Sequence, residues 1–292
     1  MTDDFLWVEK WRPPSISQCV LPERLKIEFQ SFVDIGRIPN LLLTGGPGVG
    51  KTTVARALLK QLDLDYIIIN GSMKGNIDTL RTEIQQFAST ISFNGKRKYV
   101  ILDEADYLNP QSTQPALRNF MEEFSNNCGF ILTCNFKNRI IEPLHSRCSV
   151  VEFNIDKKEI QDLCAQFFRR VENILKINGV QYDKQVVSEL IMKHCPDWRR
   201  IINELQRYSA TGKIDVGILT AMSNESFTSL IDMISGQDFS GLRKWVVDNG
   251  DIDTSVLYRE LYNHASKKMK PASIAQMVLI LAKYQYQAAF VV

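Results

Sequence analysis

The stretch Gly45-Gly46-Pro47-Gly48-Val49-Gly50-Lys51-Thr52 limits what this chain can fold into more than any other. It keeps the spacing G-x-x-x-x-G-K-[ST], follows the apolar run Leu41-Leu42-Leu43 and leads into Thr53-Val54-Ala55-Arg56-Ala57-Leu58-Leu59. Strand, glycine-rich loop and helix in that order form a phosphate cradle. Glycines let backbone N–H groups turn inward around an anion without a Cβ clash. The opening helix adds its unsatisfied N–H groups and the positive end of its dipole. Lys51 then reaches the β- and γ-phosphates, and the Thr52 hydroxyl is a ligand for Mg²⁺. The segment from Gly45 to Thr53 is therefore predicted to hold a nucleoside triphosphate inside an α/β domain.

A chain of 292 residues has room for two or three domains with ample core. Its net charge of +2 argues neither for nor against nucleic acid, so any DNA contact must be a local patch. No apolar stretch approaches the roughly 18 residues that a membrane span needs. The start Met1-Thr2-Asp3-Asp4 is acidic, unlike a secretory signal. Cys19, Cys128, Cys134, Cys148, Cys164 and Cys195 form no C-x-x-C pair, which favours reduced thiols and a cytoplasmic setting over a zinc site.

Along the chain, Trp7-Val8-Glu9-Lys10-Trp11-Arg12-Pro13-Pro14 reads as an arm on the domain surface, because two prolines stop regular structure. Leu25, Phe29, Phe32 and Val33 are spaced for a helix from Pro22 to Ile35, stopped by Gly36. Tyr66-Ile67-Ile68-Ile69 reads as a strand covered on both faces. Asn76 to Thr90 and Gln111 to Phe124 are predicted helices, and strands are expected within Lys98–Asp106 and over Gly129–Asn135 and Cys148–Phe153. Such β–α repetition implies a parallel sheet wrapped by helices. Lys96-Arg97-Lys98 reads as a solvated turn. After Asn154 the period is helical throughout: one long helix from Ile160 to about Gly179, then Val186–His194, Asp197–Ser209 and Asp215–Met222. A polar gap at Ser223-Asn224-Glu225-Ser226 precedes further helices, including Phe239–Val247, Thr254–Ser266 and Pro271–Ala289. The resulting division is an α/β nucleotide domain over 1–154, a small helical domain over 155–223 and a C-terminal helical domain over 224–292.

Hydrolysis needs an acid to help hold Mg²⁺ and a second group to deprotonate or orient water. Asp103 closes a β-prone apolar run, at the strand end where open α/β sheets bind ligands. It is the expected metal ligand beside Thr52, and Glu104 is the expected base.

The phosphate loop, Asp103-Glu104-Ala105-Asp106 and Ser146-Arg147-Cys148 together resemble the AAA+ ATPase subunits of sliding-clamp loaders, which include replication factor C small subunits. Val8-Glu9-Lys10-Trp11-Arg12-Pro13 is similar to that family's V-E-K-Y-R-P box, with tryptophan for tyrosine. Gly71-Ser72, Ile77-Asp78-Thr79-Leu80-Arg81, Ala116-Leu117-Arg118, Cys134-Asn135 and Ile141-Glu142-Pro143-Leu144 match in order. Ser92-Phe93-Asn94-Gly95 and the lack of a zinc module look most like the T-even phage type. The likeness covers about residues 7 to 222; the last domain matches loosely.

The resemblance implies an ATP hydrolase stimulated by DNA and clamp, with a helical lid over 155–223 and a C-terminal collar over 224–292. Val8, Trp11 and Arg12 would border the adenine. Asn135 would be the sensor that touches the attacking water or the γ-phosphate. Arg147 would be an arginine finger entering the neighbouring subunit's site. Arg199 would be the lid's sensor arginine, with Arg200 as the adjacent alternative. Lys74, Asn76 and Arg81, with Asn109 and Gln111 on the next helix start, would meet the phosphate backbone of primer–template DNA, and Lys74 would also restrain Glu104 until DNA arrives. Clamp contact would fall on the helix carrying Phe120, Met121 and Phe124, where core packing is an equally open role. Partners would be a sliding clamp, primer–template DNA and other clamp-loader subunits in a ring, with no membrane. The family's collar closes with a further helix, whereas this chain ends at Ala288-Ala289-Phe290-Val291-Val292, so either the sequence is cut there or the collar is reduced. Two other functions compete: another AAA+ DNA motor, such as a branch-migration helicase or helicase loader, and a non-hydrolysing scaffold subunit.

Overall fold

Five short runs pair side by side, all parallel, in a computed structural model that describes residues 5–72, 77–92, 95–210, 212–214, 224–248 and 254–288. They are β1 (Leu41–Thr44), β2 (Tyr66–Asn70), β3 (Lys98–Asp103), β4 (Cys128–Cys134) and β5 (Ser149–Glu152), in spatial order β2-β3-β4-β1-β5. The chain leaves β1 for the far edge, returns through β3 and β4, and ends with β5 on β1's other side. Parallel pairing sends every carboxyl end to the same edge, so the ends of β1, β3 and β4 meet there.

Alternation along the strands builds two cores. Leu41, Leu43, Ile101 and Ile131 face one layer with Phe29, Leu58 and Leu59, while Leu42, Val100, Leu102, Phe130 and Leu132 face another with Leu80, Leu117 and Phe120. The central strands are buried on both faces, as continuous apolar runs demand. Strand β2 departs from expectation: only Ile69 is fully buried, because this strand lies at the edge with a single neighbour.

Helices α1 (Trp7–Lys10), α2 (Glu23–Ile35), α3 (Lys51–Gln61), α4 (Ile77–Ala88), α5 (Thr113–Glu123) and α6 (Glu142–His145) accompany the sheet. Helix α2 stops where Gly36 turns left-handed at φ 71°, as the sequence predicts. The arm is not wholly irregular: Trp7–Lys10 makes one helical turn before the prolines. One surface reading is corrected. Lys98 is buried, its ammonium donating to Thr90 Oγ1 at 2.6 Å and lying 4.7 Å from the Phe87 ring centroid, so it closes the end of α4 over the sheet. Phe120 and Met121 are buried and Phe124 packs beside them, because α5 turns that face onto the sheet and leaves Arg118, Asn119, Glu122 and Glu123 outside.

Helices α7 (Ile160–Ile177), α8 (Lys184–His194) and α9 (Trp198–Ser209) follow, with β6 (Gln181–Tyr182) pairing in parallel with β7 (Lys213–Ile214), a ribbon the sequence did not advertise. The Phe167 and Trp198 rings stack with centroids 4.5 Å apart and join α7 to α9. The chain divides into two compact units, Met1–Val216 and Gly217–Val292. The second holds α10 (Asn224–Ser235), α11 (Phe239–Asp248), α12 (Thr254–Ala265) and α13 (Pro271–Ala288). Its supposed polar gap is helical from Asn224 onward. Leu230, Ile231 and Trp245 are buried, whereas α13 leaves Val278, Leu279, Ile280, Tyr284 and Tyr286 exposed. The helix expected over Asp215–Met222 lies outside the described residues. No described helix is long and apolar enough to cross a membrane.

Candidate nucleotide site

Strand β1 ends at Thr44, and the next six residues loop back so that α3 starts at Lys51 with Gly50 as its N-cap. The Lys51 side chain is buried and donates to Gly45 O at 2.8 Å, Gly46 O at 2.7 Å and Asn135 Oδ1 at 2.8 Å. All three ammonium hydrogens are thus committed inside the loop and to the end of β4. Burial pulls the Lys51 pKa down, and Asp103 and Asp106 act against that pull. A cation held this way is ready to exchange carbonyl oxygens for phosphate oxygens.

Thr52 Oγ1 donates to Asp103 Oδ1 at 2.6 Å, and Thr133 Oγ1 donates to the same oxygen at 2.6 Å. A hydroxyl and a carboxylate side by side are hard oxygen donors, the set that suits Mg²⁺ in phosphate sites. Glu104 follows with φ 56°, in the left-handed region, and its N–H donates to Thr133 Oγ1 at 3.2 Å. Such a backbone costs on the order of 1–3 kcal/mol. It turns the chain out of β3 and into the 3₁₀ turn Ala105–Tyr107. Neither Thr133 nor Asp106 was singled out for a role in the sequence. Thr133 is a polar residue two places before Asn135 in an otherwise apolar strand, and that spacing was the available signal.

A cavity beside Lys51 and Thr52 takes its lining from the arm and the helical lid as well as the loop, including Val8, Trp11, Arg12 and Arg199. Gly48, Val49, Gly50 and Thr53 line it too, and Arg200 does not. Arg12 Nη1 donates to Thr53 Oγ1 at 2.9 Å, and its other edge is forked onto Glu9, which also accepts from Arg56 at 3.4 Å. Burial raises the Glu9 pKa, but the Arg12 hydrogen bond and the arginine charges outweigh it and hold the carboxylate ionised. Trp7 N donates to Gln206 Oε1 at 2.8 Å, and Arg170 donates to Trp11 O, so lid helices grip the arm from two sides. Trp198 N donates to Gly48 O at 3.2 Å, and Asp197 caps α9 against that same glycine.

Arg147 does not line this cavity. It is partly exposed, with Nε donating to Glu122 Oε1 at 2.9 Å and Nη1 to Pro143 O at 2.9 Å. Among the proposed DNA-contacting residues, Arg81 is exposed on α4, and Asn109 and Gln111 are exposed at the approach to α5, where Asn109 Oδ1 accepts from Gln111 N at 2.8 Å. Lys74 and Asn76 lie outside the described residues. Gln114, which the sequence reading passed over, is buried and ties the base of α5 to Leu108 O, Arg139 O and Ile141 N at 2.9–3.0 Å.

A parallel sheet, a phosphate loop after the inner strand β1 and a lid reaching back over that loop define an AAA+ nucleotide-binding protein. Residues 41–155 match the ATPase family associated with various cellular activities (AAA), and residues 159–220 match the AAA+ ATPase lid domain of the sliding-clamp-loader large subunit. The sliding-clamp-loader large subunit of Enterobacteria phage T4 is 36% identical over 94% of this chain and 87% of its own. The same protein of Escherichia phage RB69 is 38% identical over 80% and 75%. A replication factor C small subunit of Archaeoglobus fulgidus is 37% identical over 72% of this chain and 65% of its own. The chain belongs to the AAA+ sliding-clamp-loader family. A structure of the Thermotoga maritima RuvB Holliday junction branch migration motor superposes with a TM-score of 0.57 over 91% of this chain and 88% of that one; at 16% identity it speaks for the fold alone.

Proposed function

We propose that this chain is an ATP-hydrolysing subunit of a DNA polymerase sliding-clamp loader. One observation carries the reading: Lys51, the Thr52–Asp103 pair, Glu104 and Asn135 meet at one edge of the sheet, next to a cavity lined by Lys51, Thr52 and the lid's Arg199. ATP would enter with its triphosphate in the loop of Gly45 to Thr53 and its base against Val8, Trp11 and Arg12. Thr52 and Asp103 would hold Mg²⁺, whose charge offsets that of the phosphates. Lys51 would pass from its loop carbonyls to the β- and γ-phosphates. Glu104 would take the proton of the attacking water, and Asn135 would orient that water or the γ-phosphate. Arg199 would report on the γ-phosphate from the lid. Arg147, partly exposed and outside its own cavity, would serve the neighbouring subunit.

In this reading ATP binding draws subunits into a ring that opens the clamp and grips primer–template DNA, and hydrolysis releases the clamp. The three-part division into nucleotide, lid and collar domains belongs to the same proposal. The exposed apolar surface of α13 supports an assembling collar, since large exposed apolar faces mark interaction sites. The test is ATP turnover by the chain with its partner subunits. It should rise when a sliding clamp and primed DNA are added together. Strand unwinding without clamp stimulation would point to another DNA motor, and no phosphate release at all would point to a scaffold subunit.

A further inference from the structure

The fourth residue of Asp103-Glu104-Ala105-Asp106 has no part in the mechanism above, yet it is only 5% exposed. It sits in the 3₁₀ turn Ala105–Tyr107, just past the left-handed Glu104. Its Oδ2 accepts from the N–H groups of Asn135 and Phe136, each at 3.1 Å. Those two amides lie beyond the end of β4, where pairing with β3 has stopped at Leu102 and Leu132. Backbone donors there must find some other acceptor, and one carboxylate oxygen takes both. The Phe136 side chain is 51% exposed and packs into no core, so apolar burial does not fix the backbone at this point. Among the described residues Asp106 Oδ1 has no hydrogen-bond partner.

We infer that Asp106 is a positioning residue for Asn135, holding the backbone that aims the Asn135 amide at Lys51 and the γ-phosphate position. This rests on the reading of Asn135 as the group that meets phosphate or water. The linkage runs from the Asp106 carboxylate, through the Asn135 backbone, to Asn135 Oδ1 and the Lys51 ammonium 2.8 Å away. It joins the acidic turn after β3 to the end of β4, so the spacing between Glu104 and Asn135 is set by a residue that need not touch nucleotide.

The test uses the full chain with Asp106→Leu, Asp106→Asn, Asn135→Ala and the Asp106→Leu/Asn135→Ala double variant. Steady-state turnover is followed alongside binding of a fluorescent ATP analogue. Leucine keeps the volume and removes the acceptor, so kcat should fall by about 10- to 10²-fold, the cost of a misplaced reacting group, with analogue affinity close to the parent's. Asparagine keeps the shape and an acceptor for both amides, so it should recover most of the lost turnover. The double variant should be no slower than Asn135→Ala alone. Parental turnover in Asp106→Leu, losses that multiply in the double variant, or an asparagine variant as slow as leucine would each overturn the inference. Should Asp106→Leu fail to fold, Asp106→Ala, which removes the acceptor without adding bulk, takes its place in every comparison. Parental turnover in Asn135→Ala, by contrast, would remove the reading of Asn135 itself, whatever Asp106 does.

Discussion

Glu104 stands in a backbone region that side chains seldom enter, held there by its N–H on Thr133 and by Tyr107 N donating to its carbonyl at 3.0 Å. Strain of this kind persists only where the surroundings over-determine it. It ends β3 and opens the 3₁₀ turn Ala105–Tyr107 directly after Asp103. Glu104→Gln keeps the shape but accepts no proton, so turnover should drop by roughly 10²- to 10⁴-fold while an ATP analogue still binds; normal turnover would show that another group is the base. Lys51→Ala deletes a cation whose three hydrogens are already held within the loop. It should lose measurable binding of the analogue in a fluorescence titration.

At the scale of elements, the lid meets the phosphate loop at one glycine. A Cβ on Gly48 would fall 1.8 Å from Asp197 Oδ1, and φ there is +73°. Gly36 has a similar φ of +71° but open space around its missing Cβ. Gly36→Ala should therefore cost only the backbone penalty, about 1–2 kcal/mol in urea unfolding, whereas Gly48→Ala should cost more and also weaken analogue binding by displacing the start of α9. Equal losses in the two variants would show that the Gly48–Asp197 contact contributes nothing. The lid also carries a pH dependence. Burial, with Arg200 and Lys193 nearby, pushes the His194 pKa down from its ordinary 6.5 to about 4. The folded state therefore favours neutral His194. Its contribution is fully present above pH 6.5 and is lost as pH falls from there towards 4. His194→Leu should flatten the fall in melting temperature across that window, and an unchanged slope would assign the acid sensitivity to other groups.

For the whole molecule, the decisive question is whether one chain makes a complete site. Arg147 is turned onto Glu122 and Pro143 O, away from the cavity of its own chain. A finger supplied in trans is worth about 10³- to 10⁵-fold in rate. Arg147→Ala should accordingly bind ATP yet fail to turn it over. Mixing it with Lys51→Ala, which retains the finger and lacks the phosphate contact, should restore part of the activity in shared rings. Full activity of Arg147→Ala alone, or rings in which mixing restores nothing, would remove the shared site.

The phosphate loop, the meeting of Thr52 with Asp103 and the parallel α/β class were legible because each depends on contiguous residues or on a short period along the chain. Gly45 to Thr52 build their cradle from their own backbone, and an acid at the end of an apolar strand points to the edge that every parallel strand shares. What remained open needed contacts between distant segments. Phe120 and Phe124 share a face by spacing, but only docking of α5 shows that this face meets the sheet. Lys98 looks solvated in a run of three cations and is buried because Thr90 and Phe87 close over it. Arg199 and Arg200 are neighbours in sequence, yet consecutive helical residues point roughly 100° apart, and the stacking of Trp198 on Phe167 decides which one lines the cavity. Asp106, Thr133 and Gln114 bond to partners 25 to 30 residues away, apart from Gln114's shorter link to Leu108. Nothing local marks such residues, because their roles exist only once β3, β4 and α5 have packed.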